Sequence, residues 1–194
     1  MNIIVINASS ATNGHTDVAV KTYLKVFKNK ANIKHYDLRN LNYSGCIDCK
    51  SCYKTGECIF KDDITELYHD YDIADIVIVA TPIYFLSVSS QLKAVIDRTQ
   101  AIWSSKYKLN KSIIDKNKKR FAVFIATAGS DLASNANLGA RAVINMYFKA
   151  INAKYTDEII IYNTDNLALN KNNTEQLNLV NKSEQMFKII SKIM

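Results

Sequence analysis

Short, uninterrupted apolar runs recur along this chain, separated by segments of helical length. Residues 2–7 (Asn-Ile-Ile-Val-Ile-Asn), 73–81 and 121–127 carry apolar side chains at consecutive positions, not alternate ones. A strand tolerates that pattern when both of its faces are covered, as in a parallel sheet between two helix layers. Residues 33–38 and 158–162 read as two further strands. Residues 16–28, 62–71, 88–103, 138–151 and 174–194 read as helices. In the third of these Leu92, Val95 and Ile96 share one face; in the last the expected core face is Leu177, Val180, Met186, Ile189 and Ile190. Five strands alternating with helices predict an α/β sandwich with a parallel sheet. Its ligand crevice is expected at the carboxyl ends of the strands, in the loops after strands one, three and four.

The length, 194 residues, fits one domain, 1–194, with a cysteine-rich loop at 43–63 inserted after the second strand, on the same rim. The net charge of +7 does not point to nucleic acid, because the basic residues are scattered. The one short run, Lys116 to Arg120, leads into a strand. The chain starts with a strand, not with a basic segment and a long apolar stretch. No signal peptide, membrane span or membrane partner is therefore expected, and the expected location is the cytoplasm. The Asn-rich stretch 163–173 reads as a surface loop.

All four cysteines of the chain fall within thirteen residues: Cys46, Cys49, Cys52 and Cys58. The spacing C-x2-C-x2-C-x5-C lets one short loop wrap a single inorganic centre. In a reducing compartment, clustered cysteines serve more often as metal ligands or redox thiols than as disulfides. A structural zinc site of four cysteines usually joins two C-x2-C knuckles across a longer span, and free thiols are the remaining reading.

The loop after the first strand reads Ala8-Ser9-Ser10-Ala11-Thr12-Asn13-Gly14-His15-Thr16 and opens a helix. Hydroxyl side chains, a glycine and free N–H groups at a helix N-terminus suit an anion. The same residues also suit an ordinary helix start capped by Thr16. A Walker lysine and a G-x-G-x-x-G are both missing, so a monophosphate fits better than a triphosphate or a dinucleotide. The third strand runs into Pro82-Ile83-Tyr84-Phe85-Leu86-Ser87. Pro82, the only proline, is expected to fix a turn where the strand ends. Strand four ends Thr127-Ala128-Gly129, a small-residue turn that permits close backbone approach.

Two of these strings resemble a known family, the flavodoxin-like NAD(P)H-dependent FMN reductases. The first loop is similar to the family's N-G-S-P-R-x-x-G-N-T, with Ser10 for its proline and Ala11 for its arginine. The string from Pro82 to Arg98 resembles P-x-Y-x-x-S-x-x-x-Q-L-K-x-x-I-D-R. The resemblance implies a five-stranded parallel sheet of order 2-1-3-4-5. It implies FMN as cofactor, NAD(P)H as electron donor, and a homodimer or tetramer. By it, Ser9, His15 and Thr16 contact the phosphate. Pro82, Ile83, Tyr84, Phe85, Leu86 and Ser87 border the isoalloxazine ring, and Thr127, Ala128 and Gly129 form a third flavin loop. Asp97 and Arg98 serve packing and ion pairing. No residue is assigned a catalytic role.

Within that superfamily the four cysteines, with Lys61-Asp62-Asp63 after them, resemble the iron–sulfur flavoproteins, which implies a [4Fe–4S] cluster on Cys46, Cys49, Cys52 and Cys58. The expected function is an FMN-dependent oxidoreductase that passes electrons to a quinone, a flavin or a redox protein. A flavin electron carrier without substrate turnover is the alternative. A hydrolase has little support: only His15 of three histidines lies on the expected rim, and no G-x-S-x-G elbow is present.

Overall fold

The computed structural model describes residues 1–130, 137–167 and 174–192. In chain order they form β1 (Asn2–Asn7), α1 (His15–Leu24), β2 (Asn32–Asp37), α2 (Cys52–Thr55), α3 (Leu67–Ile73), β3 (Ile76–Tyr84), β4 (Ser87–Val88), α4 (Ser90–Arg98), α5 (Gln100–Tyr107), β5 (Arg120–Thr127), α6 (Leu138–Ala150), β6 (Ala153–Ile161) and α7 (Thr174–Ser191). The long strands are parallel in the order β2-β1-β3-β5-β6. The short β4 folds back antiparallel on the end of β3. Without that hairpin strand, the order is the expected 2-1-3-4-5 of a flavodoxin-like sandwich.

The two helix layers explain the uninterrupted apolar runs. Ile3, Val5, Ile76, Ile78, Val123 and Ile125 face Tyr23 of α1, Phe27 and the α7 residues Leu179, Met186 and Ile190. Ile4, Ile6, Val77, Val79, Ala122 and Phe124 face the other way, toward Leu67 of α3, Leu92 and Val95 of α4, and Ile144 and Phe148 of α6. Successive strand residues point to opposite faces, so a run such as Ile3-Ile4-Val5-Ile6 is buried at every position. Each such side chain contributes roughly 1.5–3 kcal/mol of transfer free energy. The basic run also ends inside: Arg120 is buried and donates to the carbonyls of Tyr71, Asp72 and Asp115.

Several expected boundaries differ. The helix expected over 88–103 is two helices that meet at Thr99, whose N–H and hydroxyl both donate to Ile96 O, at 3.0 and 2.6 Å. Such local bonds compete with the helical ladder. The helix expected over 62–71 begins only at Leu67, and β3 begins at Ile76 and not at 73. Pro82 does not make the turn: it lies within β3, opposite Thr127, beyond the point where β1 stops at Asn7. β6 starts at Ala153, five residues before 158, through a register shift opposite Ala122 and Val123.

The α7 core face is Leu179, Ser183, Met186 and Ile190; Leu177 and Ile189 are exposed and Val180 is half-buried. Ser183 occupies a core position because its hydroxyl donates to Tyr23 O at 2.5 Å. The end of that expected helix, residues 193–194, and residues 168–173 of the expected Asn-rich loop lie outside the described residues. No helix of the described residues is long and apolar enough to cross a membrane.

Candidate functional site

A cleft opens where β1, β3 and β5 end. Ser9, His15, Thr16, Pro82, Ile83, Tyr84, Thr127 and Gly129 line it. Eight of the residues singled out in the three loops are thus brought together. The first turn of α1 faces the cleft with Gly14 at the N-cap and no side-chain cap. Thr16 does not cap the helix; its hydroxyl lies 2.6 Å from the Thr127 hydroxyl and ties α1 to the end of β5. The uncapped N–H groups keep their partial positive charge for a ligand anion. Ser9 is held in place by its N–H to Asn7 Oδ1 (3.1 Å) and its hydroxyl to Ala11 O (2.9 Å).

Asp17, which the sequence reading passed over, shapes this loop from behind. Its carboxylate accepts from Asn7 Nδ2 and from the Asn13 N–H, each at 2.9 Å, and pairs with Lys21 at 2.9 Å. Burial raises its pKa, but these bonds outweigh burial and hold the carboxyl below its ordinary value. Asn13 can take its left-handed φ of 58° at modest cost.

The loop after β3 is a tight hairpin. Tyr84 pairs with Ser87, and the two residues between them, Phe85 and Leu86, have φ of 47° and 63°. Both φ values are those of a type I′ turn, which normally selects Asn and Gly. Tyr84 reaches across the cleft to Ser10, with the hydroxyls 2.8 Å apart. Phe85, Leu86 and Ser87 do not line the cleft; Phe85 stands fully exposed at the tip. The Leu86 carbonyl accepts from the Ala140 N–H and packs against Gly139 in the first turn of α6. Ala128 is likewise outside the lining, buried under the cleft floor.

Thr164 and Asp165, from the segment after β6, complete the lining and were not anticipated. No local motif marks them; the fold brings them there by pairing with the 128–130 loop.

The cysteines form a second site. Segment 43–45 runs along α4: Tyr43 donates to Gln91 O at 3.0 Å, and Gly45 packs near Ala94. Asp48 and Lys50 then take left-handed φ values of 53° and 60°. The coiled segment puts Cys46, Cys49, Cys52 and Cys58 on the walls of one cavity, closed by Arg98, Gln100 and Ala101. Cys52 lies 3.5 Å from the Ser104 hydroxyl of α5. All four cysteines are free thiols. Among the described residues no group of three His, Cys, Asp or Glu side chains stands close enough to hold one metal ion.

Arg98 is the keystone of this loop. It is buried and donates to Ser44 O (2.9 Å) before the cysteines, to Phe60 O (3.4 Å) after them, and to both oxygens of Asp62 (2.7 and 3.2 Å). The resemblance placed Arg98 in packing and ion pairing, and that is where it lies. Asp97, its neighbour, pairs with Lys93 on the surface. Tyr68, whose hydroxyl donates to Arg98 O at 2.8 Å, has its pKa raised by burial and by the nearby Cys58.

The cleft and the cysteine cavity have no lining residue in common. The sequence reading expected both on one rim. Instead α4 starts just after the hairpin and ends at Arg98, so its nine residues, about 13 Å of helix, separate them.

Residues 1–156 match the NADPH-dependent FMN reductase family. An iron-sulfur flavoprotein of Methanocaldococcus jannaschii is 36% identical over 104 residues, covering 53% of this chain and 52% of that protein. One from Archaeoglobus fulgidus is 30% identical over 146 residues, covering 75% and 71%. One from Clostridioides difficile is 40% identical over 105 residues, covering 50% and 45%. The chain thus spans about half the length of the first and third of these relatives. Among solved structures, an NAD(P)H:quinone oxidoreductase from Methanothermobacter marburgensis superposes with a TM-score of 0.71 at 14% identity, covering 95% of this chain and 93% of that one. An FMN-dependent NADH-azoreductase from Bacillus anthracis, solved with FMN, gives 0.67 at 15%, covering 100% and 99%. At such identities the two structures establish the fold. With the match over residues 1–156 and the curated relatives, the chain belongs to the NADPH-dependent FMN reductase family, on its iron–sulfur flavoprotein side.

Proposed function

We propose that this protein is a cytoplasmic FMN-dependent oxidoreductase. It takes electrons from NAD(P)H or a reduced carrier and passes them to a small acceptor such as a quinone or a flavin. Cys46, Cys49, Cys52 and Cys58 would hold a [4Fe–4S] cluster, which would supply one-electron chemistry. The observation that carries this reading is the cleft at the ends of β1, β3 and β5, with an uncapped helix N-terminus at one end and Tyr84 at the other.

The residues fit FMN. The first-turn N–H groups of α1, with the Thr16 hydroxyl, would hold the phosphate, with His15 and Ser9 lining the same end of the cleft; Thr127 orients Thr16, and the Ser9 hydroxyl is spent on Ala11 O. With Ala11 in place of the family's arginine, backbone dipole and hydroxyls carry most of that task. Pro82, Ile83 and Tyr84 wall one side of the ring and exclude water there. Backbone N–H groups of the 84–87 turn favour negative charge on a ligand beside it. Bound FMN supplies the hydride and electron chemistry, and this chain supplies position and electrostatics. Four cysteines on one cavity wall support an iron–sulfur cube, whose corners each take one thiolate. Lys50, whose pKa is raised by its bond to Asp48, lines the same cavity as part of that ion pair. Self-association as a dimer or tetramer belongs to the same reading and is checked by light scattering.

The test is anaerobic purification, followed by an absorption spectrum and assays of flavin, iron and acid-labile sulfide. FMN with about four iron and four sulfide per chain supports the whole reading. FMN without iron supports a simple FMN reductase, and no flavin overturns the proposal. Anaerobic NADH and NADPH are then added in turn. If neither reduces the flavin, the protein is an electron carrier and not a reductase.

A further inference from the structure

Two neighbouring serines of α5, Ser104 and Ser105, are fully buried and use their hydroxyls differently. Ser105 donates back along its own helix, to Ile102 O at 2.7 Å, as helical serines commonly do. Ser104 makes no such bond. Among the described residues the one partner of its hydroxyl is Cys52 Sγ, 3.5 Å away at the start of α2. The backbone fixes this pair. The Cys52 carbonyl accepts from the Gly56 N–H at 2.9 Å, and Gly56 ends α2 at a left-handed φ of 77°. A Cβ on Gly56 would lie 3.5 Å from Ser105 Cβ, so α2 rests directly on α5.

A thiol and a hydroxyl can each be the donor, and a neutral thiol sulfur is a weak acceptor. A metal-bound cysteine has lost its proton, so there the Ser104 hydroxyl must donate and the sulfur accept. The buried hydroxyl is thus poorly satisfied beside a thiol and well satisfied beside a thiolate. Arg98, on the same cavity, carries a second donor of this kind. Its Nη1 and Nη2 are spent on Ser44 O, Phe60 O and Asp62, while its Nε is buried and without a partner. A buried charged donor left unpaired is costly, and negative charge in the cavity relieves it. Both observations fit a centre that carries negative charge on its sulfurs.

We propose that Ser104 is a tuning residue of the cysteine site: its hydroxyl donates to the Cys52 thiolate and raises the reduction potential of a cluster held by the four cysteines. This rests on the cluster reading above. The sign follows from charge. A cluster that has taken up one electron is more negative and its sulfurs accept more strongly, so a fixed donor favours the reduced form. One such bond is worth about three- to tenfold in the ratio of reduced to oxidised cluster at a given potential.

The test is an anaerobic redox titration of the parent and of S104A, each as the loaded protein, with dithionite as reductant and mediators present. Electron paramagnetic resonance reads the reduced cluster and absorbance reads the flavin. Alanine fills the place of serine less one oxygen, so S104A keeps its iron, its sulfide and its melting temperature. The expected result is a cluster potential lower by about 30–60 mV, the three- to tenfold ratio at about 59 mV per tenfold for one electron. The flavin potential stays where it is, because the cleft and the cavity share no lining residue. A cluster potential that does not move overturns the assignment of Ser104 and leaves the cluster reading standing. An S104A protein that no longer assembles iron and sulfide makes Ser104 a structural support and likewise overturns its tuning role. A parent without iron and sulfide overturns both readings.

Discussion

Arg98 Nη1 lies 2.7 Å from Asp62 Oδ2, and the same guanidinium holds the carbonyls of Ser44 and Phe60, so one buried ion pair closes both ends of the cysteine loop. Burial raises the Asp62 pKa, but the Arg98 hydrogen bonds and charge outweigh it and hold the carboxyl below its ordinary value. A carboxyl depressed in the folded state stabilises the fold in full above the unfolded value. That stabilisation is lost as pH falls through the lower folded value. Stability should therefore decline below about pH 4 in the parent and decline less steeply in D62N. R98M leaves Asp62 partly buried without its partner and should cost about 3 kcal/mol or more. Chemical denaturation across pH and limited proteolysis within 43–63 check both. A loop in R98M that resists protease as the parent does would remove Arg98 from this role.

Gly139 sits in the first turn of α6, where helix propensity alone favours alanine by about 1 kcal/mol. The structure predicts the opposite sign. A Cβ there would stand 2.6 Å from the carbonyl oxygen of Leu86, a backbone atom in a tight turn that cannot swing aside. G139A should push the hairpin off α6, break the Ala140 N–H bond to Leu86 O and destabilise the protein by about 1–3 kcal/mol. Thermal melts decide it, and a melting temperature that rises would show that propensity wins.

Phe85 has a left-handed φ of 47° and a side chain wholly in water. The conformation costs an ordinary residue about 1–2 kcal/mol, and Asn less. F85N loses no buried surface, so it should stabilise the fold by about 1 kcal/mol. A bulky apolar side chain standing wholly in water beside the cleft is free to contact a second copy of the chain or a bound nucleotide. The same variant should accordingly lose NAD(P)H-dependent turnover or self-association. Equal stability and equal turnover in F85N would remove both the strain and its purpose.

These strained and close-packed positions mark what the sequence concealed. The alternation of strands and helices was legible because two-sided burial makes the consecutive central positions of β1, β3 and β5 (Ile3–Ile6, Ile76–Ala80 and Phe121–Ala126) apolar. The cleft loops were legible as strings, since Ser9, Thr16, Pro82 and Thr127 stand in local motifs. Asp165 was not, because it reaches the cleft only through backbone pairing with residues 128–130. Nor was the α7 face, where Ser183 takes a core place through a bond to Tyr23 O that hydrophobicity cannot signal. The break at Thr99, made by its own bonds to Ile96 O, has a tertiary consequence that periodicity did not show. It leaves Arg98 at a helix end, where the buried guanidinium meets the cysteine loop, and it lets Gln100 and Ala101 line the cavity.

Trp103, the chain's single tryptophan, offers a direct reading of what the cysteines hold. Its ring centroid is 6.5 Å from that of Tyr53, which lines the cysteine cavity, so Trp103 lies one side chain away from any group bound there. An iron–sulfur cluster absorbs across the range in which tryptophan emits and would quench Trp103; zinc absorbs nothing there and would not. Anaerobic protein carrying iron and sulfide should therefore fluoresce weakly. Removing iron with a chelator and an oxidant should raise Trp103 emission in step with the loss of visible absorbance. C58S should lose iron and show the bright state from the start, while W103F should keep its iron and show no tryptophan signal. FMN also accepts energy from tryptophan, so the flavin content is held constant and measured in each sample. Emission that stays unchanged as iron is removed would separate the metal from the cysteine cavity and place it elsewhere on the protein.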